Sequence, residues 1–308
     1  MPDSLRRALG AAVLTAAFLA VPAGAFAQAP AEAPTEKVLY KDGYDGRYLL
    51  DGTWWFRLDP QDQGLSQGFQ RQSSTTGWTQ VTVPNAWNAT DMSPESQRGT
   101  VGWYRKDFRV PRGAKGATWM IRFESVNYRA TVFVNGNQVG THEGAYLPFE
   151  VPSGKLRSGV NHLVVRVDSR RSNTDLPPLV DQDNGTPGGG WWNYGGLLRE
   201  VYLRKVNQVD MTDFLARPLL PCRNCDATVL IRATLHNLGR KKKVRVSARV
   251  GSQAARFRPV TLPARGTRQV SAKVKIANPR LWEPGDPQLY TVRGAVNVGR
   301  KVGASWSG

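Results

Sequence analysis

From Asp51 onward apolar and polar residues alternate with a period of two, the pattern of half-buried strands. Leu163, Val165 and Val167 alternate with His162, Val164, Arg166 and Asp168. The run Thr131-Val132-Phe133-Val134 meets Asn135-Gly136, the strongest short hairpin signal, before Gln138-Val139 returns. Further strands are predicted over 53–58, 79–83, 103–110, 118–124, 147–151 and 197–203. Short strands broken by closely spaced turns imply an all-β sandwich or jelly roll over 44–205.

A second set begins near Val206. Val229, Ile231, Ala233 and Leu235 face one way while Arg232, Thr234 and His236 face the other. Val244, Val246, Ala248 and Val250 repeat the pattern after the turn 237–243, and strands over 269–276 and 288–296 follow. This predicts an immunoglobulin-like β-sandwich of about 100 residues over 206–308. Its last strand is expected after Gly299, and with Gly308 so close that strand is expected to be incomplete.

The N-terminal pattern is different. Arg6 and Arg7 precede an apolar run from Ala8 to Ala20, and Ala25-Phe26-Ala27 ends it. A positive n-region, an apolar h-region and small residues at −3 and −1 read as a secretory signal peptide, residues 1–27, cut after Ala27. No later segment is apolar enough to span a bilayer. The mature chain is therefore expected to be secreted or periplasmic. Residues 28–43, with Gln28, Pro30, Glu32 and Pro34, read as a flexible tether.

Charge adds a second contrast. The 308 residues carry 42 Lys and Arg against 24 Asp and Glu, a formal +18. Residues 206–308 hold 19 of the former and 5 of the latter, a net of +14, densest at Arg240-Lys241-Lys242-Lys243-Val244-Arg245. Three readings stand: a polyanion contact, a solvated hairpin tip, or a face docking an acidic neighbouring domain. Export and the absence of a recognition helix or zinc-finger pattern argue against nucleic acid.

Candidate chemistry is sparse. Cys222-x-x-Cys225 lacks two further zinc ligands, with only His236 nearby, and lacks the βαβ context of a redox motif. In an oxidising compartment it reads as a local disulfide. No metal or cofactor is expected. Glu124, Glu150 and Glu200 fall at the ends or starts of strand patterns, and Glu143 has no evident partner, so no acid–nucleophile pair is assigned. The aromatic loops say more. Gly188-Gly189-Gly190-Trp191-Trp192-Asn193-Tyr194-Gly195-Gly196 and Val83-Pro84-Asn85-Ala86-Trp87-Asn88 set rings beside amides. Stacking faces next to hydrogen-bonding groups suit a sugar. The same tryptophans also suit the covered end of a sandwich. Asp181 and Asp183 add acceptors just before the Gly-rich stretch.

Six stretches in order resemble glycoside hydrolase family 2, the β-galactosidases, β-glucuronidases and β-mannosidases. They are Leu50-Asp51-Gly52-Thr53-Trp54, Val83-Pro84-Asn85-Ala86-Trp87, Gly102-Trp103-Tyr104-Arg105-Lys106-Asp107-Phe108 and Val132-Phe133-Val134-Asn135-Gly136. Asn193-Tyr194-Gly195-Gly196-Leu197-Leu198-Arg199-Glu200-Val201, and Leu281-Trp282-Glu283-Pro284 with Pro287-Gln288-Leu289-Tyr290, complete the set. The resemblance runs from Tyr44 to Val298. It implies an N-terminal, galactose-binding-like jelly roll that contacts carbohydrate, then an immunoglobulin-like domain. It also implies a catalytic (β/α)₈ barrel beyond, bearing the acid/base and nucleophile glutamates. No Asn-Glu dipeptide, the usual setting of that acid/base, occurs in this sequence, so no catalytic residue is assigned and the chain alone is expected to hydrolyse nothing. The alternative is a self-sufficient secreted carbohydrate-binding protein. The resemblance implies that the loops of Trp87, Asn88, Trp191, Trp192, Asn193 and Tyr194 reach the sugar. Gly190 stands where many members carry a sugar-contacting Asp, and Asp181 or Asp183 is the candidate substitute. The sugar-contacting Asn of the β-galactosidases aligns with Ala86, leaving Asn85 and Asn88 beside it.

Overall fold

Period-two alternation buries one face of each strand, and the first sandwich is two sheets meeting on those faces. The computed structural model describes residues 31–112, 117–182, 187–188 and 190–308. The expected signal peptide and Asp183 lie outside the described residues. One sheet of the first sandwich has six antiparallel strands, in the order Asn137–Glu143, Arg129–Val134, Val160–Asp168, Val101–Arg109, Gly52–Leu58 and Thr79–Val83. The other has four: Phe149–Pro152, Thr118–Phe123, Val201–Val206 and Arg47–Leu49. Between them lie Trp54, Tyr104, Phe108, Ile121, Phe123, Leu163 and Leu203, all buried.

The six-stranded sheet is covered on its outer face too. Phe69, Trp78, Trp103 and Phe133 form a separate cluster there. The excursion after Leu58 closes over it because the buried Asp59 carboxylate accepts from Trp103 Nε1 at 2.9 Å and from the Gly64 amide at 2.7 Å. A Cβ on Gly64 would stand 2.4 Å from Trp103 Nε1, so this close approach requires glycine. Burial on both faces explains why Val101-Gly102-Trp103-Tyr104 is buried without interruption.

The second sandwich pairs a three-stranded sheet, Val209–Leu219, Ala227–Asn237 and Thr267–Ile276, with a second sheet. That sheet runs Gly43–Tyr44, Lys301–Ser307, Val292–Val298, Lys242–Val250 and Gln253–Arg256, with Val260–Leu262 also on Lys242–Val250. Met211, Ala233, Leu235, Val244, Val246 and Val296 fill one half of its core, and Val229, Ile231, Val250 and Val274 the other.

Four expectations change. The last strand is present: Lys301–Ser307 runs antiparallel to Val292–Val298, and Trp306 packs on Phe214 at 4.9 Å. Gly299, at a φ of 60°, turns the chain back with only Arg300 before pairing resumes, so seven residues suffice. Residues 31–43 are no flexible tether. Thr35 O accepts from the Leu49 amide at 3.1 Å and Glu32 O from the Arg109 amide at 3.0 Å, while Glu36 bridges to Tyr48. The edge strand Arg47–Leu49 has backbone groups to satisfy, and this segment satisfies them. Gly43–Tyr44 then pairs with Trp306 and Ser307, so the chain enters the second sandwich's sheet before it builds the first sandwich. The stretch 197–203 divides into Gly196–Leu197 and Val201–Val206, which join different sheets. The strand expected over 288–296 begins at Val292.

The two sandwiches are joined through Arg204, which is 1% exposed. Its guanidinium donates to Glu150 at 2.8 and 2.5 Å and to Asp210, on the first strand of the second sandwich, at 2.9 and 2.7 Å. Arg122 extends the chain of charges to Glu124 and Glu150. The Tyr44 ring lies under both guanidiniums, 4.8 Å from Arg204 and 5.8 Å from Arg122. Burial, then the charge of Glu150, pushes the Tyr44 phenol up to about 12. Two carboxylates desolvated around one cation lose their compensation if it is removed. Arg204→Met is therefore expected to cost about 3–5 kcal/mol of unfolding free energy. An unchanged urea midpoint would show that the junction stands without it.

Candidate functional site

A three-stranded patch holds together the loops singled out from the sequence. Gly196–Leu197 pairs with Asn85–Ala86 on one side and with Val126–Asn127 on the other. The Trp87 amide donates to Gly195 O at 3.0 Å. A Cβ on Gly195 would come within 2.1 Å of the Trp87 ring, so the loop closes on the indole only because residue 195 is glycine. Trp87 then lies beside Phe56 and Tyr104, at 5.7 and 6.2 Å between ring centres, as a lid on the core.

Asn193 is fully buried and uses its whole hydrogen-bonding capacity inside the protein. Its amide donates to Gln97 O at 3.0 Å and Ser169 O at 2.8 Å. Its carbonyl accepts from Asn127 Nδ2 at 3.0 Å and Arg171 Nε at 3.2 Å. Asn88, also buried, donates to Asn193 O and Ser96 Oγ, each at 3.0 Å, and accepts from the Gly195 amide at 2.9 Å. These two amides, expected to hold sugar hydroxyls, instead latch the loops to the sandwich. A polar side chain flanked by glycines is as useful for satisfying a buried loop backbone as for a ligand, and the pattern is the same in both cases.

Arg171 is the part of this network that the loop motifs do not mark. Its guanidinium lies 4.0 Å from the Tyr128 ring and 4.6 Å from the Trp191 ring. It donates to Asn127 Oδ1 at 2.5 Å and Pro177 O at 2.8 Å, and burial lowers its pKa. No motif or alternation in the sequence signals it. Arg170 turns to Asp168 and Asp62, while Arg171, which like it lies past the end of the strand Val160–Asp168, turns into the loops.

Five of the expected contact residues retain accessible surface, Trp87 among them. Tyr194 is 39% exposed, while Trp191 and Trp192 are half-buried. Trp191 Nε1 donates to Pro178 O at 3.3 Å, whereas Trp192 Nε1 is buried without a partner. Asp181 is exposed, 3.4 Å from the Arg98 guanidinium. Gly190 has a φ of 68° and open space around its Cβ direction. Together these make a wall with rings and one carboxylate, the Trp192 indole nitrogen lying buried behind it. The Cys222–Cys225 disulfide closes the turn between Val209–Leu219 and Ala227–Asn237. Among the described residues no group of His, Cys, Asp and Glu is arranged to hold a metal.

The glutamates are mostly engaged. Glu124 and Glu150 sit on Arg122 and Arg204, and Glu143 is 3.4 Å from Arg129. Glu200 is buried with Oε2 unpartnered. It lies close enough to Asp51 to help burial raise that carboxyl from 3.8 to about 6, although Asp51 Oδ1 accepts from the Val201 amide at 2.9 Å.

Two outcomes are expected. Between pH 3.8 and about 6 the folded Asp51 keeps a proton that the unfolded chain has lost. The stability it contributes is complete below 3.8 and is lost as pH rises through about 6. Asp51→Asn should then unfold at higher urea than the wild type at pH 8, the gap closing towards pH 4; a constant gap would place the effect elsewhere. Asn193→Ala strips acceptors from Asn127 and Arg171, and should cost about 3 kcal/mol. Tyr194→Ala should leave the melting temperature within a degree or so, and equal losses for the two variants would refute the latch.

Comparison with known proteins places this geometry. The sequence model of the sugar binding domain of glycosyl hydrolases family 2 matches residues 48–207, and that of glycosyl hydrolases family 2 matches residues 223–307. A beta-galactosidase of Thermoanaerobacter pseudethanolicus is 30% identical over 259 residues, 80% of this chain and 33% of that protein. A putative beta-glucuronidase of Formosa agariphila is 26% identical over 253 residues, 74% of this chain and 28% of its own length. Among solved structures, a putative beta-galactosidase from Bacteroides fragilis superposes with a TM-score of 0.70 at 25% identity, covering 85% of this chain and 40% of that one. The beta-glucuronidase of Ruminococcus gnavus shares the fold, with a TM-score of 0.65 at 24% identity, covering 89% and 46%. The chain thus spans about a third or less of these two curated relatives' length. It carries the N-terminal sandwich domains of β-glycosidases and belongs to glycosyl hydrolases family 2.

Proposed function

We propose that the chain acts as the exported, non-catalytic N-terminal portion of a family 2 β-glycosidase that hydrolyses terminal β-glycosides. The observation that carries this reading is the tandem match, sugar-binding domain then second domain, to relatives named beta-glucuronidase and beta-galactosidase whose length extends well beyond it. The charged start and apolar run of residues 6–20 support export. In this role the Arg204 junction fixes one sandwich against the other, and the wall of Trp191, Trp192 and Tyr194 forms one side of a sugar pocket. The hydrolytic carboxylates come from a barrel outside these residues. The second reading is a self-sufficient secreted carbohydrate-binding protein.

Turnover separates catalysis from binding. The purified chain, offered chromogenic β-galactoside, β-glucuronide and β-mannoside, is expected to release no chromophore above a heat-killed control; turnover would overthrow the assignment. One wall of a pocket buries little of a ligand, so monosaccharide affinity is expected to be about millimolar at best. Micromolar affinity for a glycan would favour the second reading.

A further inference from the structure

Five of the nineteen lysines and arginines of residues 206–308 share one sheet face of the second sandwich, with no acid among them. Along Lys242–Val250 the residues Lys243, Arg245, Ser247 and Arg249 point outward, while Val244, Val246, Ala248 and Val250 are buried. On the neighbouring strands Arg293 and Arg256 are exposed on the same side. The register sets Arg249 directly opposite Arg293, and Arg256 opposite Ser247. Five cations therefore share one face, at strand spacings of about 4.8 Å across and roughly 7 Å along. Among them stand the uncharged Ser247, Ala254, Ala295, Asn297 and Ser305, so the face is open.

Like charges placed directly opposite across a ladder destabilise a sheet. Among the described residues none of the five forms an ion pair, and the sheet's strands from Lys242 to Ser307 contain no acidic residue. The acids of 206–308 lie elsewhere: Asp210 on Arg204, Asp213 on the other sheet, Asp226 on Lys275, Glu283 on Arg223 and Asp286 beside Gln288. Asp45 touches Ser305 at the far edge.

We infer that this face binds a polyuronate, an acidic polysaccharide bearing a carboxylate on its sugar units. Four of the five cations are arginines, whose planar forks match carboxylates two bonds at a time. The face presents no aromatic ring, and stacking platforms are what single-stranded nucleic acid requires. It has no helix to enter a duplex groove. The inference rests on the reading of the chain as part of a carbohydrate-acting enzyme. It gives that enzyme a polymer-holding surface separate from the Trp191 wall.

The test is binding of the purified chain to immobilised polygalacturonate, with dextran, dextran sulfate and duplex DNA in parallel. Expected are binding to polygalacturonate that weakens steeply with salt and none to dextran. Arg249→Glu with Arg293→Glu should weaken polygalacturonate binding at least tenfold. Arg232→Glu with Lys273→Glu, the same change of charge on the opposite sheet, should weaken it less than threefold. Arg249→Gln guards against misfolding of the double variant. It relieves the like-charge contact, so it should raise the melting temperature while still weakening binding. Equal losses for the two double variants, no binding at low salt, or tighter binding to dextran sulfate or DNA would overturn the inference. Chromophore release bears only on the proposed function, so either can fail alone.

Discussion

The structure depends most on one buried guanidinium. Arg204 leaves the last strand of the first sandwich and holds a carboxylate from each side of the junction, Glu150 and Asp210. Without it two desolvated anions would face each other where the chain passes from Val206 to Val209. Apolar packing tolerates small rotations, whereas a fork gripping carboxylates on both sides does not.

A similar logic governs the loops of the first sandwich. Asn88, Asn127, Asn193 and Arg171 spend their polar groups on one another and on loop backbone. The consequence is a rigid base on which Trp191, Trp192 and Tyr194 are displayed. Above that base the accessible surface is aromatic, and the buried Trp192 indole nitrogen is left without a partner.

Most strands were legible because burial follows alternation: Ala227–Asn237 and Lys242–Val250 show it along their whole length. Residues 31–43 were illegible for a related reason. They contribute backbone groups to an edge, and backbone bonding leaves no side-chain pattern. The break between Leu197 and Val201 was hidden by an apolar composition common to both strands, although they belong to different sheets. The site was half legible. The motifs mark loops that the fold does bring together, but the type of a residue does not say whether its amide faces inward. Arg171, past the last strand residue Asp168, sits in no motif and no alternation that would mark it.

The pairing of Gly43–Tyr44 with Trp306 and Ser307 has a consequence for synthesis. Asp45 and Ser305, neighbours in space, are 260 residues apart in sequence. On a ribosome adding about 5–20 residues each second, the early segment waits roughly ten seconds to a minute for its partner. Meanwhile residues 31–36 and the strands of the first sandwich can assemble around it. The second sandwich then completes its sheet by accepting a strand already presented by the first. Its final edge is closed by the oldest part of the described chain rather than the newest.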